Sequence, residues 1–180
     1  METGKRVLLE NEDVQRTISR MAHEIVEKSG EEKMALIGIR SRGAHLVRRI
    51  GRKIEALTGY SPPVGIVDVT AYRDDIEKQP AAPHHMDVPV AIDDRTVVLV
   101  DDVINTGRTI RAALEMLGQV GKPKKILVAT LVDRGDRELP IRADIVGKNV
   151  QVEDSERVNV MLQESDGADI VTVTKHQQRK

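Results

Sequence analysis

Short, unbroken apolar runs constrain this chain more than any other feature. MALIGI at 34–39, TVVLV at 96–100 and ILVATLV at 126–132 are apolar at almost every position, whereas a strand with one wet face alternates. Such runs belong to strands covered on both sides, as in parallel sheets. Helical periodicity separates them. One helical segment spans about 44–57 and stops at Gly59 and Pro62-Pro63; another carries Ile110, Ala113, Leu114 and Leu117 on one face. A further helix begins the chain, with Val14, Ile18, Met21, Ala22, Ile25 and Val26 as its apolar stripe, Asn11 as its N-cap and Gly30 as its stop. Strands alternating with helices predict an open, mostly parallel α/β sheet with helices on both sides and right-handed crossovers. VGIVDV at 64–69 adds a strand, and 70–87, holding Pro80, Pro83 and many charges, reads as a long loop. Short strands are expected near 143–146, 157–162 and 169–173, with Ser165-Asp166-Gly167 turning a terminal hairpin. All 180 residues fit one domain.

Composition removes several kinds of function. Lys and Arg number 28 against 29 Asp and Glu, a net charge of −1, so no global basic field holds a polyanion and any such site is local. The absence of Cys excludes disulfides, thiolate zinc sites, iron–sulfur clusters and a Cys nucleophile, and points to the cytosol. No apolar stretch approaches the roughly 20 residues of a membrane span. Without Phe or Trp, and with only Tyr60 and Tyr72, the chain cannot build an aromatic platform for single-stranded RNA.

In open α/β sheets ligands bind beyond the carboxyl ends of the strands. VVLVDDVINTGRT at 97–109 is the richest such place. Thr106, Gly107 and Thr109 lie where the loop becomes a helix, so backbone N–H groups and two hydroxyls converge on a phosphate, and Gly107 permits close approach. Asp101 and Asp102 repel phosphate but accept hydrogen bonds from sugar hydroxyls or hold Mg²⁺ through water. Phosphate, ribose and metal are the implied ligand. A Walker A loop is excluded, because Gly38, Gly43 and Ala44 lack the following Lys. The turn Arg40-Ser41-Arg42-Gly43, after the first apolar run, offers two guanidiniums and free N–H groups suited to pyrophosphate. His84-His85 has no companion ligands and reads as a solvated pair.

VVLVDDVINTGRTIRAAL, DVTAYRDD at 68–75 and DRGDRELPIRADIVGKNV at 133–150 resemble the pyrimidine operon regulator family of type I phosphoribosyltransferases, whose members are also uracil phosphoribosyltransferases. The resemblance runs from residue 16 through GKNV and implies that fold, with a small hood mainly from 133 onward and a flap at about 70–87. It implies a reaction of uracil with phosphoribosyl pyrophosphate and Mg²⁺ to give uridine 5′-monophosphate, with Asp101, Asp102 and Arg73 as catalytic residues. Arg40, Ser41, Arg42 and Gly43, with Val103, Ile104, Asn105, Thr106, Gly107, Arg108 and Thr109, would bind phosphoribosyl pyrophosphate; no direct protein cage for the metal is implied. Arg134 and Arg137, in a hood formed by 133–147, would read uracil. By the same resemblance Ser19, His23, Arg137, Arg142 and Lys148 would face messenger RNA of a pyrimidine operon, bound when the nucleotide is present, in a homodimer or larger oligomer.

The chain departs from the family pattern where Asp136 replaces a His, where GKNVQVEDSE brings in Glu153 and Asp154, and where Ile104-Asn105 replaces Leu-Tyr. The first two changes should weaken attraction for RNA. A carboxylate at 136 should also neutralise neighbouring Arg137. Transfer to another base or to orotate, or a nucleotide sensor with little turnover, remain alternatives.

Overall fold

The computed structural model describes residues 4–30, 33–70 and 86–175. The expected flap, with Tyr72, Arg73, Asp74, Asp75 and His84-His85, falls largely on 71–85 and lies outside the described residues. The elements run β1 (Arg6–Leu9), α1 (Asn11–Ser29), β2 (Met34–Ile39), α2 (Arg42–Thr58), β3 (Val64–Val67), β4 (Met86–Asp87), β5 (Thr96–Ile104), α3 (Arg108–Val120), β6 (Lys125–Asp133), β7 (Ile145–Asn149), β8 (Glu156–Met161), α4 (Gln163–Asp166) and β9 (Ile170–Lys175).

Six strands form the main sheet in the order β4-β3-β2-β5-β6-β7. All its pairs are parallel except β3–β4. TVVLV and ILVATLV are parallel neighbours, with Val97 opposite Ile126 and Val100 opposite Ala129, in keeping with the mostly parallel sheet expected. Alternation along each apolar run divides the core in two. Met34, Leu36, Val98, Val100, Leu127, Ala129 and Leu131 pack with α1 and α2 on one face; Ile37, Ile39, Val97, Leu99 and Val128 pack with α3 on the other. Helices therefore cover both faces, which is why the runs are continuously apolar. No helix among the described residues is long and apolar enough to cross a membrane.

Several boundaries differ from those expected. Asn11 is the first helical residue, and Glu10 is the cap; its backbone N–H donates to the Asp13 carboxylate at 3.0 Å. β3 stops at Val67, short of Asp68 and Val69. β5 does not end at Asp101 but continues to Ile104, paired with β6 as far as Asp133. The hood also changes composition. β8 and β9 form an antiparallel hairpin, but β1, from the opposite end of the chain, completes a three-stranded sheet in the order β1-β9-β8. β7, placed within the hood by the sequence reading, is instead the edge strand of the main sheet.

An ion-pair seam joins the small sheet to α2. The Arg49 guanidinium donates to both oxygens of Asp169 at 2.7 and 2.8 Å and to Glu164 at 2.8 Å through Nε. Arg49 is 13% and Asp169 3% exposed. Two turns earlier, Arg42 donates to Asp166 at 2.9 Å. Arg49 holds the carboxyls of Asp169 and Glu164 below the usual range. Asp166 is lowered to about 2, chiefly by the Leu162 backbone N–H, then by the Ser165 hydroxyl and Arg42. Groups with depressed native pKa values stabilise the fold above their unfolded-state pKa, near 4, and that contribution is lost as pH falls toward the native value. Thermal melts should therefore show Tm falling as pH is lowered from about 4 toward about 2, and Asp166→Asn should flatten that fall.

Candidate active site

The two adjacent acids point to opposite sides of the sheet, as neighbours on a strand must. Asp101 is 6% exposed, accepts the Asp102 backbone N–H at 2.9 Å, and lines a cavity of about 120 Å³ with Val103–Gly107, Thr109 and Ile110. Asp102 instead faces a cleft of about 840 Å³ that it shares with Arg42, Asp166 and the small sheet. Its Oδ1 accepts the Val103 N–H at 2.8 Å, and Thr130 Oγ1 donates to its carbonyl at 3.3 Å. The two acids, grouped by the sequence as one pair of ligand-facing carboxylates, therefore differ: Asp101 is buried, and Asp102 is the acid offered to the larger cleft.

The loop between β5 and α3 forms the smaller cavity as the sequence suggested. Gly107 has φ +93°, in the region that favours glycine, and an added Cβ would come within 3.3 Å of the Ile141 Cβ. No acidic residue occupies the first turn of α3, so its N-terminal N–H groups and positive dipole end are not offset there by a carboxylate. Thr106 Oγ1 accepts the Arg108 N–H at 3.3 Å, and Arg108 pairs with Glu138 at 2.8 Å. Asn105 Oδ1 is buried without a hydrogen-bond partner. Across β2, Arg40 and Ser41 precede α2, and Gly43 lies so close to β5 that a Cβ would stand 2.6 Å from the Val100 carbonyl oxygen. This glycine brings the Arg40–Gly43 turn beside the strand that carries the acids.

The segment after β6 also has a structural role. Arg137 donates through Nε to the Ile141 carbonyl at 2.7 Å, through Nη1 to the Asn105 carbonyl at 2.8 Å, and through Nη2 to Asp133 at 2.7 Å. Its guanidinium thus clamps 133–141 against the loop between β5 and α3, a role beyond the uracil- and RNA-facing ones expected of it. Glu138 and Leu139 N–H groups, both bonded to the Thr106 carbonyl, continue that closure. Asp136 faces Arg134, at 3.4 Å, and not Arg137; the partner that neutralises Arg137 is Asp133. Arg134 is 13% exposed, and its Nε is buried without a hydrogen-bond partner.

The residues expected on an RNA face fall in two places. His23 Nδ1 lies 2.8 Å from the Ser19 carbonyl on α1, and α1 packs against β7, which carries Lys148. Arg142 instead lines a cleft of about 560 Å³ with Arg134, Arg137, Asn149 and Gln151. Arg20, on the same ridge of α1, is spent on Glu24 and on the carbonyls of β7. The sequence reading missed Asn159 and Thr172, which line the large cleft. Strict alternation in VNVM and IVTVT could have found them, since Val158, Val160, Val171 and Val173 are buried and their neighbours must face the other way.

The model of the phosphoribosyl transferase domain family matches residues 6–163. Among curated proteins, Bifunctional protein PyrR of Roseiflexus sp. is 51% identical over 91% of both chains. That of Bacillus subtilis is 43% identical over 96% of this chain and 98% of its own. Among solved structures, a hypoxanthine phosphoribosyltransferase from Staphylococcus aureus superposes with a TM-score of 0.72 at 20% identity, covering 96% of this chain and 91% of that one. The enzyme of Trypanosoma cruzi gives 0.72 at 16% identity, covering 96% and 97%. At such identities the solved structures establish the fold.

Proposed function

Because the chain belongs to the phosphoribosyl transferase domain family, and within it to the PyrR bifunctional proteins, we propose that it is a uracil phosphoribosyltransferase that also regulates pyrimidine genes through messenger RNA. The observation that carries the enzymatic reading is the Thr106–Thr109 turn, closing its small cavity at the start of α3 beside the cleft of Asp102 and Arg42. A 5′-phosphate suits the first place and a ribosyl pyrophosphate the second.

In the reaction, uracil N1 forms a bond to ribose C1 as the C1–O bond to pyrophosphate breaks, and the N1 proton passes to water. Positive charge develops on the sugar and negative charge on the departing pyrophosphate. The Asp102 carboxylate stabilises the first and orients the ribose hydroxyls; Arg40 and Arg42 stabilise the second. Arg73 is assigned to the same charge by resemblance. Thr106, Gly107 and Thr109 hold the 5′-phosphate. Base edges are read by main-chain groups following Val132, while Arg137 positions that segment. No protein nucleophile is required.

The donor set fits Mg²⁺. Mg²⁺ is commonly held by one or two carboxylates plus substrate phosphates, and the partly buried Asp102 carboxylate on the large cleft supports that reading. When bound with the substrate it would neutralise pyrophosphate charge.

The decisive assay is a panel of bases with phosphoribosyl pyrophosphate and Mg²⁺. Uracil should give the highest kcat/KM; preference for another base or orotate, or nucleotide binding without turnover, would replace this reading. For regulation, Ser19, His23, Arg137, Arg142 and Lys148 form the RNA-facing set, and a pyrimidine-operon leader hairpin should bind in a salt-dependent manner and tighten with uridine 5′-monophosphate. Equal binding of an unrelated hairpin would remove the regulatory half. A cytoplasmic homo-oligomer completes the proposal, and sedimentation tests its assembly.

A further inference from the structure

The large cleft extends well beyond Asp102 and Arg42. Its far side is the small sheet, where Lys5, Arg157, Asn159, Thr172, Thr174 and Lys175 line it together with Val158, Val160 and Met161. Strand register explains the grouping. Arg157 pairs with Thr174 and Asn159 with Thr172, and directly opposed residues project from the same face. Val158, Val160, Val171 and Val173 occupy the opposite, buried face. On the third strand Arg6 pairs with Val173, so Lys5, one residue earlier, falls beside Thr174. Lys5, Thr174 and Arg157 thus form a row across three strands.

Charge and hydrogen bonding give this row a direction. The cleft holds four cations, Lys5, Arg42, Arg157 and Lys175, and two carboxylates, Asp102 and Asp166. Arg42 and Asp166 are paired, which leaves Lys5, Arg157 and Lys175 against the one carboxylate of Asp102 in the lining. Glu156 stands opposite Lys175 in register, but its carboxylate accepts the Glu153 N–H at 2.9 Å. Thr174 Oγ1 accepts from Asn159 Nδ2 at 3.0 Å, so its own O–H remains to donate. Two cations flanking a hydroxyl donor, within a cleft, suit a compact anion with several charged oxygens.

We propose that Lys5, Arg157 and Thr174 form a second anion subsite that takes pyrophosphate-class anions and receives the leaving group after it quits Arg42. The subsite rests on the transferase reading for its role and lies outside the residues assigned to catalysis. A concave site fits a small polyphosphate better than a duplex or hairpin, which needs a broad surface.

The test uses the full chain saturated with phosphoribosyl pyrophosphate and Mg²⁺ in the absence of base, titrated calorimetrically with inorganic pyrophosphate. One further binding event is expected, and Lys5→Gln with Arg157→Gln should weaken it at least about tenfold. Thr174→Val, which keeps the charge, should weaken it about threefold. Turnover of the double variant at saturating substrates should stay within about twofold of the parent, while inhibition by added pyrophosphate changes. Absence of a second event, or unchanged binding in both variants, overturns the subsite. So does a double variant that loses leader RNA and keeps pyrophosphate, since the face then serves a polynucleotide. Failure of every base to turn over, with pyrophosphate binding still dependent on Lys5 and Arg157, removes the transferase reading and supports the subsite.

Discussion

Replacing Asp102 with Asn is expected to lower kcat for uridine 5′-monophosphate formation about 100-fold while moving Tm by no more than about 2 °C. The side chain is only partly buried and lines the cleft with Arg42. Its hydrogen bond, from the Val103 N–H, can also be accepted by the Asn carboxamide oxygen. The fold therefore keeps its contacts, but the full negative charge opposite the developing positive charge of the sugar is gone. Asp101→Asn should behave differently. That acid is buried and orders the backbone of Asp102, so activity and Tm should fall together. Paired measurements of kcat and thermal melting separate the two cases; a large Tm loss in Asp102→Asn would make that residue structural.

Arg49→Met should lower stability by about 3 kcal/mol, which for a domain of this size is a Tm loss of about 6–12 °C. The size follows from what remains. Asp169, 3% exposed, and Glu164 would face each other without the guanidinium that neutralises both. Gln15 donates to Asp169 at 2.7 Å, but a neutral amide cannot replace a charge. Arg49→Lys should recover only part of the loss, because one ammonium cannot reproduce the fork that serves two carboxylates. The double variant with Asp169→Asn should cost less than the sum of the single changes, the signature of a shared interaction. Denaturant melts of the parent and the four variants provide the check.

The layers of the main sheet were legible because their signal is local. A run such as MALIGI, buried at every residue, can only be a strand covered twice. The continuation of β5 through Asp101 and Asp102 was not legible, since two carboxylates in sequence look like the end of a strand; only the pairing with β6 reveals otherwise. β1 was hidden for another reason: four residues, RVLL, are defined as a strand by pairing with β9 near the far end of the chain. The phosphate-type turn was found because glycine and threonine chemistry is local to Thr106–Thr109. The clamping role of Arg137 was not legible, because it depends on the carbonyls of Asn105 and Ile141, which only the folded chain brings to it.

The Arg42–Asp166 pair makes ligand entry an exchange reaction. An anion that takes the Nε–Nη2 edge of this guanidinium must displace a carboxylate already seated there at 2.9 Å, and Asp166, its pKa lowered to about 2, stays ionised throughout the neutral range. The observed affinity is consequently a difference between two ion pairs. A singly charged intruder offers nearly what it removes and gains little, whereas a diphosphate brings several oxygens and more charge to the same donors. An internal competitor of this kind acts as a valency filter, setting the charge a visitor must carry before the cleft rewards its arrival.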